Sequence, residues 1–246
     1  MADLDTNEVP LEKSENDVEV SEEGKNKECF CKNQGLSQES CNGKGCNIDD
    51  KVYEDAAKSL GVEVAALKAI GKKESSGNGF YSVGQAKILF ERHIMHKQLK
   101  NTGYTTTQLN DLKNQYPKIV NPVSGGYGKY SEQYEKLKTA KTIDYDCAIK
   151  SCSWGKFQVM GFHYAKLYSN PKELEEAMNM CERQHFEYFI QFLKTTNGLI
   201  DALKNRDWET VATKYNGSAW EKNNPTYADD LKKYYNEFKF NYRHFE

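Results

Sequence analysis

From Asp49 onward, apolar residues recur at helical spacing between short glycine- and proline-containing breaks. Asp49 and Asp50 are cap-type residues that open a helix to about Leu60, where Gly61 ends it. In the next helix, from Val62 toward Glu74, the apolar Val62, Ala66 and Ile70 step by four and share one face, and Glu74 continues that row. The run Ser75-Ser76-Gly77-Asn78-Gly79 stops the helix. Lys87–Glu91 reads as a short strand, and residues 101–128 as loop-rich, with Gly125, Gly126 and Gly128 near Pro117 and Pro122. Ser131 starts a helix through about Lys141, Asp144 caps a short one up to Lys150, and Ser153–Met160 is a turn with short extended pieces. Asn170-Pro171 pairs a cap residue with proline in the first turn. The helix it opens is expected to reach about Thr195, with Leu174, Met178, Cys181 and His185 as its buried stripe. Asp207 caps a helix through Tyr215, closed by Asn216-Gly217, and a last helix runs from about Pro225 to Phe238. No internal repeat is visible. The pattern predicts a mainly α domain over residues 49–246 with a small β-hairpin region.

This periodicity is missing before residue 49. Residues 1–28 are rich in Asp, Glu, Ser and Asn and lack any aromatic residue, so they bury too little apolar area to offset chain entropy and read as a disordered acidic tail. Residues 29–48 carry Cys29, Cys31, Cys41 and Cys46 in a Gly/Asn-rich setting. Four cysteines in so short a span suggest a cross-linked knot or a metal loop. Their C-x-C-x9-C-x4-C spacing lacks the paired C-x2–4-C steps of zinc knots. Two disulfides are the first choice, and structural zinc and free thiols stay open.

Charge separates the same regions. The tail holds ten acids and three lysines, a sum of −7, which leaves +5 for the rest of a chain whose net charge is −2. A mildly basic body suits an anionic polymer such as bacterial cell wall, whereas a sequence pI near 6.3 falls short of a nucleic-acid binder. Mean hydropathy is −0.84, and no apolar run is long enough to cross a bilayer. The acidic, polar start shows no secretory signal. The 246 residues suit one ordinary domain with small additions, and the 12% aromatic content makes up for the modest apolar fraction.

Glu74 carries the strongest chemical signal. A carboxyl at the C-terminal end of an amphipathic helix, in line with its buried face, is expected to be partly desolvated, which disfavours its charge. The negative end of the helix dipole acts the same way. A carboxylic acid kept protonated near neutral pH can donate to a glycosidic oxygen. Alone, the residue reads first as a surface glutamate fraying off a helix end.

Three further segments change this balance. Glu74-Ser75, then Gly155-Lys156-Phe157-Gln158, then Tyr215-Asn216 occur in that order. In this the chain resembles the lysozyme-like superfamily of goose-type lysozymes and soluble lytic transglycosylases. More specifically it resembles the N-acetylmuramidase domain of phage endolysins, through Glu-Ser-Ser-Gly-Asn-Gly-Phe (74–80), Lys-Ile-Leu-Phe-Glu-Arg-His (87–93), Gly-Gly-Tyr-Gly (125–128), Ser-Trp-Gly-Lys-Phe-Gln-Val-Met-Gly (153–161) and Tyr-Asn-Gly (215–217). The resemblance spans about residues 50–240 and leaves the tail and the cysteine segment outside.

The resemblance implies a lysozyme-like helical fold with Glu74 as the catalytic acid and peptidoglycan as the substrate. It leaves the second group open. Glu91 is the first candidate because it ends the strand that follows the acid, against a structural ion pair with Arg92. Asp144 and Asp146 are weaker candidates. Two carboxyls about 5–5.5 Å apart would imply a retaining route, and about 6.5–9.5 Å an inverting one. Ser153, Gln158, Tyr215 and Asn216 are expected to line the cleft, although local turn bonding also accounts for Gln158 and Asn216. Tyr127, in its glycine loop, is expected to expose a ring that can stack on sugar, while Trp154 reads as core. His93 and His96 read as structural. No cofactor and no catalytic metal is expected. Cys147 and Cys152 read as free and buried, and Cys181 as core.

Three activities compete: hydrolysis of the bond between N-acetylmuramic acid and N-acetylglucosamine, a lytic transglycosylase giving 1,6-anhydro ends, and a wall-binding module without catalysis. Delivery to the periplasm or wall would need a holin-type lysis pore or an injection apparatus. The chain would then serve as a phage endolysin or as an injected antibacterial effector. The effector setting brings an immunity protein and a secretion-apparatus component as partners. Nucleic acid and membrane are not expected partners.

Overall fold

The computed structural model describes residues 48–76, 79–82 and 84–242. The acidic tail and Cys29, Cys31, Cys41 and Cys46 lie outside these residues. The described chain is mainly helical, with small antiparallel pairings. It divides into two compact units, one formed by Ile88–Cys152 and the other by residues 48–87 together with 153–242.

In the larger unit, α1 (Asp50–Leu60) starts where the Asp49 carboxylate accepts from the Val52 N–H at 2.9 Å and ends at Gly61 with φ 68°. Helix α2 spans Val64–Ser75 and buries Ala66 and Ile70 as the spacing predicts, while Val62 stays outside it. Strands β1 (Phe80–Ser82) and β2 (Gln85–Ala86) pair as an antiparallel hairpin after α2. Two residues of β4 (Cys152–Trp154) pair with β5 (Val159–Met160), Ser153 facing Met160 and Trp154 facing Val159.

The expected long helix of residues 170–195 is two helices, α7 (Pro171–Met180) and α8 (Glu182–Thr195). Cys181 between them is extended at φ −160°, and its sulfur accepts from the Arg183 N–H at 3.3 Å, an N-cap role that spacing did not reveal. The apolar row runs through the break, so periodicity alone reads it as continuous. Helices α9 (Leu199–Asn205) and α10 (Trp208–Asn216) follow, and Asp207 caps the second by accepting from the Thr210 N–H. The last helix, α12 (Tyr227–Tyr242), follows the short α11 (Trp220–Asn223) and packs along α2. Burial centres on aromatic rings: Phe157 stacks on Phe189 at 4.2 Å, and Tyr53 meets Phe186 edge-on at 5.0 Å.

The smaller unit contains β3 (Ile88–Phe90), α3 (Arg92–Asn101), α4 (Thr106–Gln115), α5 (Gln133–Ile143) and α6 (Tyr145–Lys150). The loop expected over residues 101–128 thus contains a helix, and its signal was a capping box. Thr105 accepts from the Gln108 N–H while the Gln108 side chain accepts from the Thr105 N–H. Asp144 caps α6 as predicted. Cys147 and Cys152 here, and Cys181 in the larger unit, are buried thiols outside any disulfide. No helix among the described residues is long and apolar enough to cross a membrane.

Candidate active site

Glu74 sits in the last turn of α2, which ends because Ser76 turns left-handed at φ 56° and its N–H caps the Lys72 carbonyl. Its carboxyl is half-buried, and its Oε1 accepts from the hydroxyl of Tyr227, a buried residue at the start of α12. The next contact along the same helix pair is an ion pair: Lys73 Nζ lies 2.7 Å from Asp230 Oδ2, and also 5.1 Å from the centre of the Tyr227 ring. Tyr215 lies close enough to feel the same carboxylate. Burial, followed by the Glu74 charge, pushes its hydroxyl well above the usual tyrosine value, and Tyr227 is shifted the same way by burial, Glu74 and Tyr215. Both hydroxyls therefore remain donors. Tyr215 donates to the Phe157 carbonyl at 2.6 Å, which ties α10 to the residue preceding Gln158.

Gln158 adopts a left-handed backbone (φ 48°), a conformation that costs a non-glycine residue about 1–2 kcal/mol. Its side chain offsets that cost within the turn. The amide nitrogen donates to the carbonyls of Gly155 at 2.7 Å and Lys87 at 3.3 Å, and the amide oxygen accepts from the Ser153 hydroxyl at 2.8 Å. Ser153 is buried. Both residues were expected to line a cleft; here they hold each other and the Gly155–Gln158 turn. The Tyr215-Asn216 pair splits, with the tyrosine hydroxyl directed inward and Asn216 exposed at the end of α10. Trp154 is core, at 1% exposure.

A buried pair on the first turn of α8 joins these segments. Glu182, 1% exposed, accepts from the Gly79 N–H at 2.7 Å through Oε1 and from Lys156 Nζ at 2.9 Å through Oε2. One turn on, His185 Nδ1 accepts from the Lys156 N–H at 3.1 Å, and Nε2, 2.7 Å from the Met178 carbonyl, must be the protonated nitrogen. Burial pushes this histidine down to about 4, so it is neutral near pH 7. Lys87 closes the circuit. Its N–H donates to the Gly79 carbonyl at 2.8 Å, its carbonyl accepts from the Gly155 N–H at 2.7 Å, and its ammonium donates to the Ser75 carbonyl at 3.4 Å.

Glu91 belongs to the smaller unit and has other partners. Its Oε2 lies 3.2 Å from His93 Nδ1, and neither of these buried atoms makes a hydrogen bond. The Tyr127 hydroxyl bonds to the Glu91 carboxyl, and burial followed by the Glu91 charge raises the hydroxyl well above its usual value. The anticipated Glu91–Arg92 pair is replaced by the Glu91–His93 contact, because the Arg92 guanidinium donates to the carbonyls of Val123 at 3.0 Å and Ser124 at 3.2 Å. Tyr127 is half-buried rather than an open platform, because Gln133 Nε2 and the Lys136 ammonium both bind its carbonyl and hold its loop. Among the described residues no group of three or more His, Cys, Asp or Glu side chains could hold a metal.

Sequence reading missed Tyr227 and Glu182 and saw His185 only as core. Tyr227 is separated from Glu74 by 153 positions, and no local pattern links them. For Glu182 there was a signal, an acid and a histidine three apart at a helix start.

The family described as Muramidase, N-acetylmuramidase, matches residues 63–239. The crystal structure of the Burkholderia AP3 phage endolysin is similar at 34% sequence identity and a TM-score of 0.68, over 78% of this chain and 72% of that one. No curated protein matches.

Proposed function

The chain belongs to the N-acetylmuramidase family, and from that premise we propose that it degrades peptidoglycan by hydrolysing the β-1,4 bond between N-acetylmuramic acid and N-acetylglucosamine, with Glu74 as the general acid. Glu74 gives its proton to the bridging oxygen as the bond to the muramyl C1 breaks. Water adds its hydroxyl to C1 and yields its proton to a base, for which Glu91 is the candidate named by the sequence. The observation that carries the reading is the Glu74 carboxyl at the end of α2, held by the buried Tyr227 hydroxyl with Tyr215 beside it. A carboxyl whose rotation is fixed by a buried donor starts each turnover in one orientation, which is what proton transfer in flight requires.

The test is product analysis on purified peptidoglycan with the parent and Glu74→Gln. The parent is expected to release reducing muramyl ends, and the variant to lose about a thousandfold in rate while still binding the wall. Anhydro ends would make the enzyme a lytic transglycosylase, and an active Glu74→Gln would remove the acid. Delivery by a holin-type pore as an endolysin, or by an injection apparatus as an effector met by an immunity protein, belongs to the same proposal; co-purification from the producing strain distinguishes the two.

A further inference from the structure

Three segments of the larger unit carry the site: the end of α2, the strand-entry segment from Gly79, and the Gly155–Gln158 turn. Covalent continuity does not fix their mutual placement. Helix α2 has already ended at Ser75, and Gly79 lies five positions beyond Glu74. Placement comes from bonds across sequence, through Lys87 and through the first turn of α8. The Gly79 N–H is held by Glu182 Oε1, and the other oxygen of that carboxylate holds Lys156 in the turn.

The imidazole one turn on leaves no room for a side chain at either segment. A Cβ on Gly79 would lie 2.6 Å from His185 Nδ1, and one on Gly155 2.5 Å from the same atom. The ring cannot yield, because both nitrogens are bonded and Phe80 stacks on it at 4.9 Å. Glu182 itself stands at the first residue of α8, where the helix dipole favours a carboxylate.

We propose that Glu182 is a positioning residue for the catalytic acid: its carboxylate, backed by the His185 ring, sets the distance between the segment following Glu74 and the Gly155–Gln158 turn. This rests on Glu74 being the acid. Removing Glu182 alone would leave Lys156, 11% exposed, without its counter-charge, so the informative variants change both residues. Glu182→Gln with Lys156→Met keeps an acceptor for the Gly79 N–H, whereas Glu182→Ala with Lys156→Met removes it.

The experiment measures kcat and KM on solubilised glycan strands with the full chain, well below each variant's melting temperature. The glutamine double variant is expected within threefold of the parent kcat. The alanine double variant is expected to lose tenfold or more in kcat with KM within twofold. A residue that only supports the fold would lower the melting temperature and leave kcat of the folded enzyme unchanged, so parent-like kcat in the alanine variant overturns the proposal. Equal losses in both doubles overturn it as well. Should the alanine variant fail to fold, Gly79→Ala pushes the same segment off the His185 ring with every polar partner kept. A kcat-selective loss there supports the proposal, and parent-like kcat overturns it. Glu74→Gln, measured alongside, separates the two readings: an inactive Glu74→Gln beside parent-like positioning variants removes only the role of Glu182.

Discussion

Glu74 and Glu91 are held by contrasting means in the two units. Glu74 is bound from far along the chain, by Tyr227 across 153 positions, while α2 and α12 are locked by the Lys73–Asp230 ion pair one residue away. Glu91 is held locally, by His93 two residues on and by Tyr127 from the adjoining glycine loop, and its Oε2 makes no hydrogen bond. Distributed anchoring ties the half-buried first carboxyl to a buried tyrosine, so its orientation follows the packing of two helices. The second depends on a loop held through the Gln133 and Lys136 side chains, and a buried oxygen without a donor is a group that gains when a donor, such as a water or a sugar hydroxyl, arrives. A proton donor needs fixed orientation; a group that accepts a proton from water needs an unfilled acceptor.

Loss of Glu74 sets the scale for this contrast, and Glu91→Gln is the next largest expected effect. A loss of about a hundredfold in hydrolysis, with no anhydro ends, would fit a general-base role. Parent-like turnover would reduce Glu91 to a partner of Tyr127 and His93 and move the search for a second group elsewhere. Tyr227→Phe sharpens the other side. It keeps the ring but removes the donor to Glu74, so kcat is expected to fall by up to about tenfold, the value of one hydrogen bond. KM should hardly change. A Tyr227→Phe enzyme with full kcat would show that packing alone orients the acid.

The effect that touches turnover least is a stability profile. His185, 1% exposed, is pushed by burial from its ordinary 6.5 down to about 4, and His163 is pushed to about 4 by burial and then by Lys166. Above pH 6.5 both rings are neutral in the folded and unfolded chain alike. Between 6.5 and 4 the unfolded chain takes up protons that the folded one refuses, so stability falls as pH falls, by up to about 3 kcal/mol for His185. Urea unfolding at pH 7 and pH 4.5 measures this, and His185→Gln should flatten part of the slope. An unchanged slope would mean that the ring is not held neutral.

Much of the fold was legible in the sequence because its signals are local. Caps at Asp49, Asp144, Asn170 and Asp207 stand where the spacing placed them, since a cap needs only a side chain and an N–H two or three residues away. Two features were read wrongly. The helix at Thr106–Gln115 lay in a polar stretch with one buried residue, Leu109, and its capping box was the only clear signal. The break at Cys181 was hidden because the apolar row on α7 continues into α8 in phase, and a sulfur served as the cap.

For the site, the sequence determined which residue types were present and in what order: an acid at a helix end, a Gly-x-x-Gln turn, a Tyr-Asn pair. Tertiary structure decided what each one touches. It gave Glu74 a buried tyrosine donor, spent the Gln158 amide on its own turn, directed the Tyr215 hydroxyl inward while exposing Asn216, and replaced Arg92 with His93 beside Glu91. The physical reason is reach. Helix periods and caps act over two to four residues and can be read along the chain. A hydrogen bond between side chains on two helices depends on how those helices pack, which no stretch of either helix encodes alone.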